Sequence, residues 1–188
     1  GRTLLLIFLF TTTVPAGFLV ANWTPQLLKM LGFSVKDTLT AMTIISIGVP
    51  LGCFLNSMVA DKGGRKIPLA VLFVLAAVTA FIFGGMKTLT LLTAAGFMVT
   101  IFNMAGSFLL FSYTAESYPT RMRNTATGFH NGLARLSVSG SQFFIPMIHA
   151  SYGFAGIFTS VAVLFFLPVI PLMIWGMRTG GKSLEEIE

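Results

Sequence analysis

The chain has 188 residues, of which 55% are hydrophobic and only 10% are charged. Soluble domains carry about 25% charged residues, so this composition excludes an ordinary water-soluble domain and indicates a polytopic protein of the lipid bilayer. The net charge of +6 does not indicate a nucleic-acid partner, because the basic residues stand in short clusters between apolar stretches. The single cysteine, Cys53, excludes an intrachain disulfide and a cysteine-based metal cluster. We therefore predict no metal and no cofactor.

Six apolar windows are long enough to cross a bilayer as helices, which takes about 20 residues each. In chain order, the predicted spans are Thr3–Leu28, Thr38–Ala60, Ile67–Met86, Thr88–Tyr113, Thr125–Ile148 and Phe154–Met177. The predicted fold class is thus an all-α membrane protein, in which residues 1–188 form one helix bundle with a tail at 178–188. The chain opens with Gly1 rather than methionine, so we expect the natural protein to begin earlier.

The distribution of Lys and Arg predicts the orientation of these spans. One side of the bundle would carry Arg2, Lys62, Arg65, Lys66, Arg121, Arg123, Arg178 and Lys182, and the other side Lys29, Lys36 and Lys87. The more basic side faces the cytoplasm in membrane proteins. We therefore expect both termini in the cytoplasm and the protein in an inner or plasma membrane. The third and sixth spans are apolar nearly all round, so we expect them to be outer helices that face lipid.

Polar side chains interrupt the first, fourth and fifth spans. They are Asn22, Thr24 and Gln26 in the first, Asn103 and Ser107 in the fourth, and Asn131, Arg135, Ser139 and Gln142 in the fifth. The four in the fifth span recur at helical spacing and share one face. Such a stripe faces protein or a water-filled cavity. A single serine more often only bonds a neighbouring backbone, and this is the interpretation we favour for Ser139.

Arg135 is the most informative of these residues. It lies ten residues into its predicted span, about 15 Å along a helix, where an arginine costs at least about 2.5–3.5 kcal/mol. No Asp or Glu of this chain is predicted at that depth, so its partner is a ligand, a carboxylate of another chain, or water. The guanidinium fork suits a carboxylate, which favours an anionic substrate. A structural ion pair with a missing partner and a shallower position remain alternatives.

Two charged loops are predicted on the more basic side. Asp61, Arg65 and Lys66 flank Gly63-Gly64, and Glu116 precedes Arg121 and Arg123 in the second loop. We call these six charged residues the charge cluster. Pairs between them, with Glu116 bonded to any of the three arginines, could hold helices together in one conformation and break in another. The alternative is a topology signal with solvated ion pairs that contribute almost nothing.

These loops resemble motifs of the major facilitator superfamily. Ser57-Met-Val-Ala-Asp61-Lys-Gly-Gly-Arg65-Lys66 is similar to its loop signature G-x-x-x-D-R/K-x-G-R/K-R/K, with Ser57 in place of the first glycine. Glu116-Ser-Tyr-Pro-Thr-x-x-Arg123 is similar to the signature after the tenth helix in its sugar, organic-ion and aromatic-acid branches, and Lys182-Ser-Leu-Glu-Glu-Ile to their tail. The resemblance implies helices seven to twelve of a twelve-helix carrier, a 3+3 inverted repeat that works with an N-terminal half.

Within that family, two features resemble the organic-anion and aromatic-acid:proton symporter branches. They are the Trp23-Thr24-Pro25 segment of the first span and an arginine at Arg135, which sugar porters typically lack. The resemblance implies proton-coupled transport of a small organic acid by alternating access. The predicted substrate-binding residues are Asn22, Trp23, Gln26, Asn103, Asn131, Arg135 and Gln142, with the charge cluster as gate and His130 as a weaker candidate proton relay.

Three other functions are alternatives to an organic-acid carrier. A sugar or polyol porter of the same superfamily is the main alternative, and a non-transporting regulatory or assembly half is the second. An intramembrane enzyme is disfavoured, because the sequence offers no acidic dyad, no metal-ligand spacing of its two histidines and no complete serine elbow. The coupling carboxylate of a proton-driven carrier is expected in the absent half, since no predicted span contains Asp or Glu.

Overall fold

A computed structural model describes residues 2–60 and 64–177, and every regular element in these ranges is helical. The helices are α1 (Arg2–Met30), α2 (Val35–Val59), α3 (Lys66–Gly85), α4 (Leu89–Glu116), α5 (Thr120–Phe166) and α6 (Val169–Trp175). Within the described ranges, five stretches are long and apolar enough to cross a membrane, the last being Thr120–Trp175. The predicted all-α membrane class is confirmed.

The helix α5 has 47 residues and is divided by Gly153, whose φ of 63° and ψ of −157° are not helical. Glycine tolerates this backbone conformation because it has no Cβ atom. We call residues 120–152 arm α5a and residues 154–166 arm α5b. The loop predicted between the fifth and sixth spans is therefore reduced to a break of one residue.

Side-chain pairs show that the chain reverses direction at this break. Arm α5a runs parallel to α1, since Phe10 stacks on His130 and Trp23 lies beside Gln142. Arm α5b runs antiparallel to α3, whose aromatic partners are paired in the opposite order: Phe73 with Phe165 and Phe83 with Phe158. Helices α1 and α3 are both antiparallel to α4, which brings Asn103 beside Gly17, Phe111 against Phe10 and Phe73 against Gly106. The bundle thus contains three segments in each direction.

Close packing of α2 on α4 completes the bundle. These two helices run parallel, and Gly48 and Gly52 of α2 lie against the backbone of α4 at Phe97 and Ile101. Small residues at such a crossing let two backbones approach closely within a membrane protein. Ser34 caps α2, since its hydroxyl oxygen accepts a hydrogen bond from the backbone N–H of Asp37 at 3.1 Å.

The helices differ in how much of their surface the bundle covers. In the most apolar window of each, half of α3 is buried but only 28% of α2. The helix α3 contacts α4 and α5 on one side, and α2 is the least buried of the long helices. Large apolar side chains of α3, among them Val71, Val78 and Phe81, are exposed, so the prediction that this helix faces lipid stays a prediction.

Candidate functional site

A direct side-chain bond joins the polar segments of α1 and α5a. The indole nitrogen Nε1 of Trp23 donates a hydrogen bond to Oε1 of Gln142 at 2.5 Å. Both residues are half-buried, so the bond forms where the two helices meet. It brings together two residues that the sequence predicts as substrate-binding, although it did not predict that they bond each other.

Arg135 lies on α5a, two turns before Gln142. Its side chain is exposed on the surface of this chain, and its guanidinium carbon lies 5.5 Å from the ring centre of Phe18. An arginine over an aromatic face gains a cation–π attraction, yet its hydrogen-bond donors stay available. Among the described residues, the one ion pair is elsewhere, between Arg65 and Glu116, so no described carboxylate neutralises Arg135.

The other polar residues of α1 and α5a differ in exposure and in hydrogen bonding. Asn22 and Gln26 are exposed on α1, and Asn131 is half-buried on α5a. The side-chain amide of Asn22 donates to the carbonyl of Phe18 at 3.0 Å, which ties it to its own helix while its oxygen stays free of described donors. Ser139 donates to the carbonyl of Arg135 at 3.2 Å, in agreement with its interpretation as a backbone-bonding serine.

Asn103 has a different position from the other predicted substrate-binding residues. It is 4% exposed, and its amide lies so close to Gly17 of α1 that a Cβ atom at that glycine would clash with it. Its Oδ1 atom has no hydrogen-bond partner among the described residues. Asn103 therefore packs between α1 and α4 and is not on the exposed face that carries Arg135. A buried amide oxygen without a partner costs free energy.

The charge cluster brings α3 and α4 together at one end of the bundle. Nη2 of Arg65 and Oε1 of Glu116 are 2.6 Å apart, and their side chains are only 19% and 25% exposed. Of the three arginines that the sequence offered to Glu116, the structure pairs it with Arg65. Arg65 precedes α3 with a positive φ of 48°, unusual for a residue with a Cβ atom.

The other members of the charge cluster are less engaged. Lys66 opens α3, Arg121 is exposed, and Asp61 lies outside the described residues. Arg123 is half-buried, and its Nε and Nη2 atoms have no described hydrogen-bond partner, nor does Oε2 of Glu116. This end of the bundle therefore holds buried hydrogen-bonding groups that have no partner among the described residues.

A double-mutant cycle measures the strength of the ion pair. Because the pair is partly buried, we expect Arg65→Gln and Glu116→Gln each to lower the unfolding free energy, with a coupling energy of about 1 kcal/mol. The measurement is thermal unfolding of the two single variants, the double variant and the unaltered protein in detergent. Additive effects would show that the pair contributes nothing. Arg121→Gln, an exposed member of the same cluster, serves as the charge-matched control.

His130, the candidate proton relay, is enclosed completely in this structure. It has no exposed surface, its ring stacks on Phe10 with centroids 5.6 Å apart, and its Nε2 lies 3.0 Å from the hydroxyl of Tyr118. That hydroxyl also donates to Thr3 at 3.2 Å. His130 therefore joins the start of α1 to the loop before α5, and its Nδ1 has no described partner.

Two further residues at the site were not predicted from the sequence. Phe18 lies under the guanidinium of Arg135, and its spacing of four residues before Asn22 places both on one face of α1, a signal that could have identified it. Arg2 donates to the backbone carbonyl of Ser117 at 2.6 Å. Nothing in the local sequence connects Arg2 with Ser117, because the two residues are 115 positions apart.

A bundle of antiparallel apolar helices with a charged residue on a mid-span face is an integral membrane protein of the helical class. The family model described as sugar (and other) transporter matches residues 2–188, and the chain belongs to this family of the major facilitator superfamily. The predicted family is thereby confirmed. The family and the relatives below are transporters and not enzymes.

Two curated relatives and one solved structure illustrate the similarity. The chain is 26% identical over 187 residues to an inner membrane metabolite transport protein of Escherichia coli, covering 99% of this chain and 41% of that protein. It is also 26% identical over 187 residues to the niacin transporter of Acinetobacter baylyi, covering 99% and 43%. A double tryptophan mutant of XylE has the same fold, with a TM-score of 0.79 at 18% identity and coverage of 100% and 42%. The chain thus spans about two fifths of the length of these proteins.

Proposed function

We propose that this chain is the C-terminal half of a secondary carrier for a small organic anion, with Arg135 as the residue that binds the substrate carboxylate. The observation that carries the proposal is an arginine in the middle of a span, exposed on the bundle surface and without a described acidic partner. A charge at this depth is costly unless a counter-charge or water meets it. An anionic substrate supplies that counter-charge.

The surroundings of Arg135 fit an anion that carries an apolar or aromatic body. The guanidinium fork can donate two parallel hydrogen bonds to one carboxylate. Phe18 holds the guanidinium from one side, and the exposed amides of Asn22 and Gln26 offer further polar contacts on α1. Niacin, named for the Acinetobacter baylyi relative, is an aromatic carboxylic acid and belongs to the same chemical class.

Transport by alternating access requires a second half that covers this surface. In such carriers two helix bundles rock around a site near the bilayer midplane. The coverage of about two fifths of each relative supports an N-terminal half, in the same gene product or as a separate chain. We further propose that the Arg65–Glu116 pair belongs to the conformation shown here and opens in another, with both termini in the cytoplasm.

Proton coupling requires a titratable group inside the membrane. Of the described carboxylates, Asp37 lies in the first turn of α2 and Glu116 ends α4, so neither lies in the middle of a span. His130 is enclosed by aromatic rings, which favours a structural role over a proton relay. We therefore place the coupling carboxylate in the N-terminal half. Uptake by the complete protein in vesicles should follow an imposed pH gradient, and indifference to that gradient would refute coupling.

Matched ligand pairs test the proposed substrate class. In the complete gene product, we expect small carboxylates such as nicotinate and benzoate to raise the melting temperature, because their charge meets Arg135. Their amides, nicotinamide and benzamide, keep the ring but lack the charge and should have no effect. Stabilisation by amides and acids alike would contradict the role of charge.

A sugar or polyol carrier is the second candidate. It is favoured by the Trp23–Gln142 pair, because an indole and an amide are neutral groups that suit hydroxyl-rich ligands. The same melting assay with pentoses and hexoses separates the two functions, since a sugar carrier is stabilised by sugars and not by carboxylates. A non-transporting half would respond to neither class.

A further inference from the structure

An apolar groove lies between the start of α1 and the end of α6. Its volume is about 750 Å³, and its lining is Arg2, Leu4, Leu5, Phe8, Leu167, Ile170, Pro171, Trp175 and Met177. Of these nine residues, only Arg2 carries a charge. We call this feature the α1–α6 groove. Its lining includes neither Arg135 nor any other predicted substrate-binding residue.

The position of Arg2 makes one end of the groove polar. Nη1 of Arg2 donates to the carbonyl of Ser117 at 2.6 Å, which anchors the guanidinium at the end of the bundle that also holds Arg65 and Glu116. Since this is its one hydrogen bond to a described residue, the remaining guanidinium N–H groups can bind an anion. From Arg2 to Phe8 the groove extends about 9 Å along α1.

The lining residues have the pattern of a membrane interface. Leu4 is 72% exposed and Trp175 is 70% exposed, so large apolar side chains stand open on either side of the groove. Tryptophan is enriched at the level of lipid headgroups. A cation at the interface, with an apolar channel leading from it toward the hydrocarbon layer, is complementary to a molecule with an anionic head and an apolar tail.

We propose that the α1–α6 groove binds an anionic phospholipid, with the headgroup phosphate on Arg2 and an acyl chain along Leu5, Phe8 and Ile170. The charge of Arg2 selects an anionic over a zwitterionic headgroup, because the net charge of the lipid then complements the single cation. The apolar lining excludes a soluble phosphate compound as the intended ligand. The proposal depends on the membrane location of the protein and not on its transported substrate.

Native mass spectrometry of the complete gene product tests the proposal. The protein in detergent receives equal amounts of phosphatidylglycerol and phosphatidylcholine, and retained lipid is counted. We expect preferential retention of phosphatidylglycerol. Arg2→Gln should reduce that retention about fivefold, the loss of one surface cation, whereas Lys36→Gln, an exposed lysine at the opposite end of the bundle, should leave it unchanged.

A second pair of variants tests the groove independently of the charge. Ile170→Trp fills the channel and should reduce retention of phosphatidylglycerol, whereas Val78→Trp, at a similarly exposed position of α3, should not. Equal retention of the two lipids by the unaltered protein, or unchanged retention in Arg2→Gln, would overturn the proposal. So would a rise in retention on deletion of residues 178–188, since it would identify the tail as the occupant. Competition by glycerol phosphate would show that a free phosphate suffices.

Discussion

Replacement of Arg135 by alanine is expected to abolish measurable binding of small carboxylates while the protein still inserts and folds. The reason is that a carboxylate placed against Phe18 and Asn22 would lose the one cation that the described residues of this face offer. Truncating one member of a desolvated charge pair costs about 2–5 kcal/mol, which corresponds to a loss of affinity of roughly 30-fold or more. Melting-temperature shifts with a carboxylate that stabilises the unaltered protein provide the measurement.

Two variants on the same face serve as controls for this result. Arg135→Lys keeps the charge but loses the planar fork, so we expect weakened binding that is not abolished. Ser139→Ala removes a hydroxyl that bonds only the carbonyl of Arg135, and binding should be unchanged. If Arg135→Ala binds the carboxylate as tightly as the unaltered protein, the proposed role of this arginine is wrong.

Substitution of Gly52 by alanine should lower the stability of the bundle. A Cβ atom at Gly52 would lie 2.7 Å from the carbonyl oxygen of Ile101, 2.7 Å from Cβ of Met104 and 3.3 Å from the backbone nitrogen of Ala105. Two of these three neighbours are backbone atoms, which cannot rotate away. Overpacking of this kind costs about 1–3 kcal/mol, so we expect a lower melting temperature and separation of α2 from α4.

Gly128→Ala is the matched control, because Gly128 also lies inside a helix and a Cβ atom there meets nothing within 4 Å. Both substitutions add one methyl group to a helical glycine, so a difference between them reports the close contact and not the intrinsic helix preference of alanine. Thermal unfolding in detergent gives the comparison, and cross-linking between α2 and α4 shows whether the helices part. Equal melting temperatures for the two variants would show that α4 yields at no cost.

Some features of this fold follow directly from the sequence. A bilayer imposes one requirement on every span, about 20 apolar residues, and for this reason the positions of α1 to α4 could be predicted. The predicted spans leave residues 149–153 as the turn before the sixth span, and the structure narrows this turn to Gly153, because Ser151 and Tyr152 are helical. The burial of α3 could not be predicted, since hydropathy does not distinguish lipid from a neighbouring helix.

The candidate site shows a similar division. Arg135 stood out because a charge in a span is rare and costly. The pairing of Trp23 with Gln142 and of Arg2 with Ser117 could not be predicted, since more than 100 residues separate the members of each pair. Asn103 was predicted as substrate-binding on polarity alone, and the structure places its amide against Gly17. Polarity identifies residues that need a partner but does not say whether the partner is a ligand.

The parallel packing of α1 on α5a has a consequence for the biogenesis of the protein. Trp23 meets its partner Gln142 only after 119 further residues have been added, which takes roughly 6–24 s at 5–20 residues per second. During this interval the indole N–H of Trp23 lacks the acceptor that it has in the folded bundle. A nascent chain arrested before Thr120 therefore lacks this contact, and we expect it to be degraded faster than the complete chain.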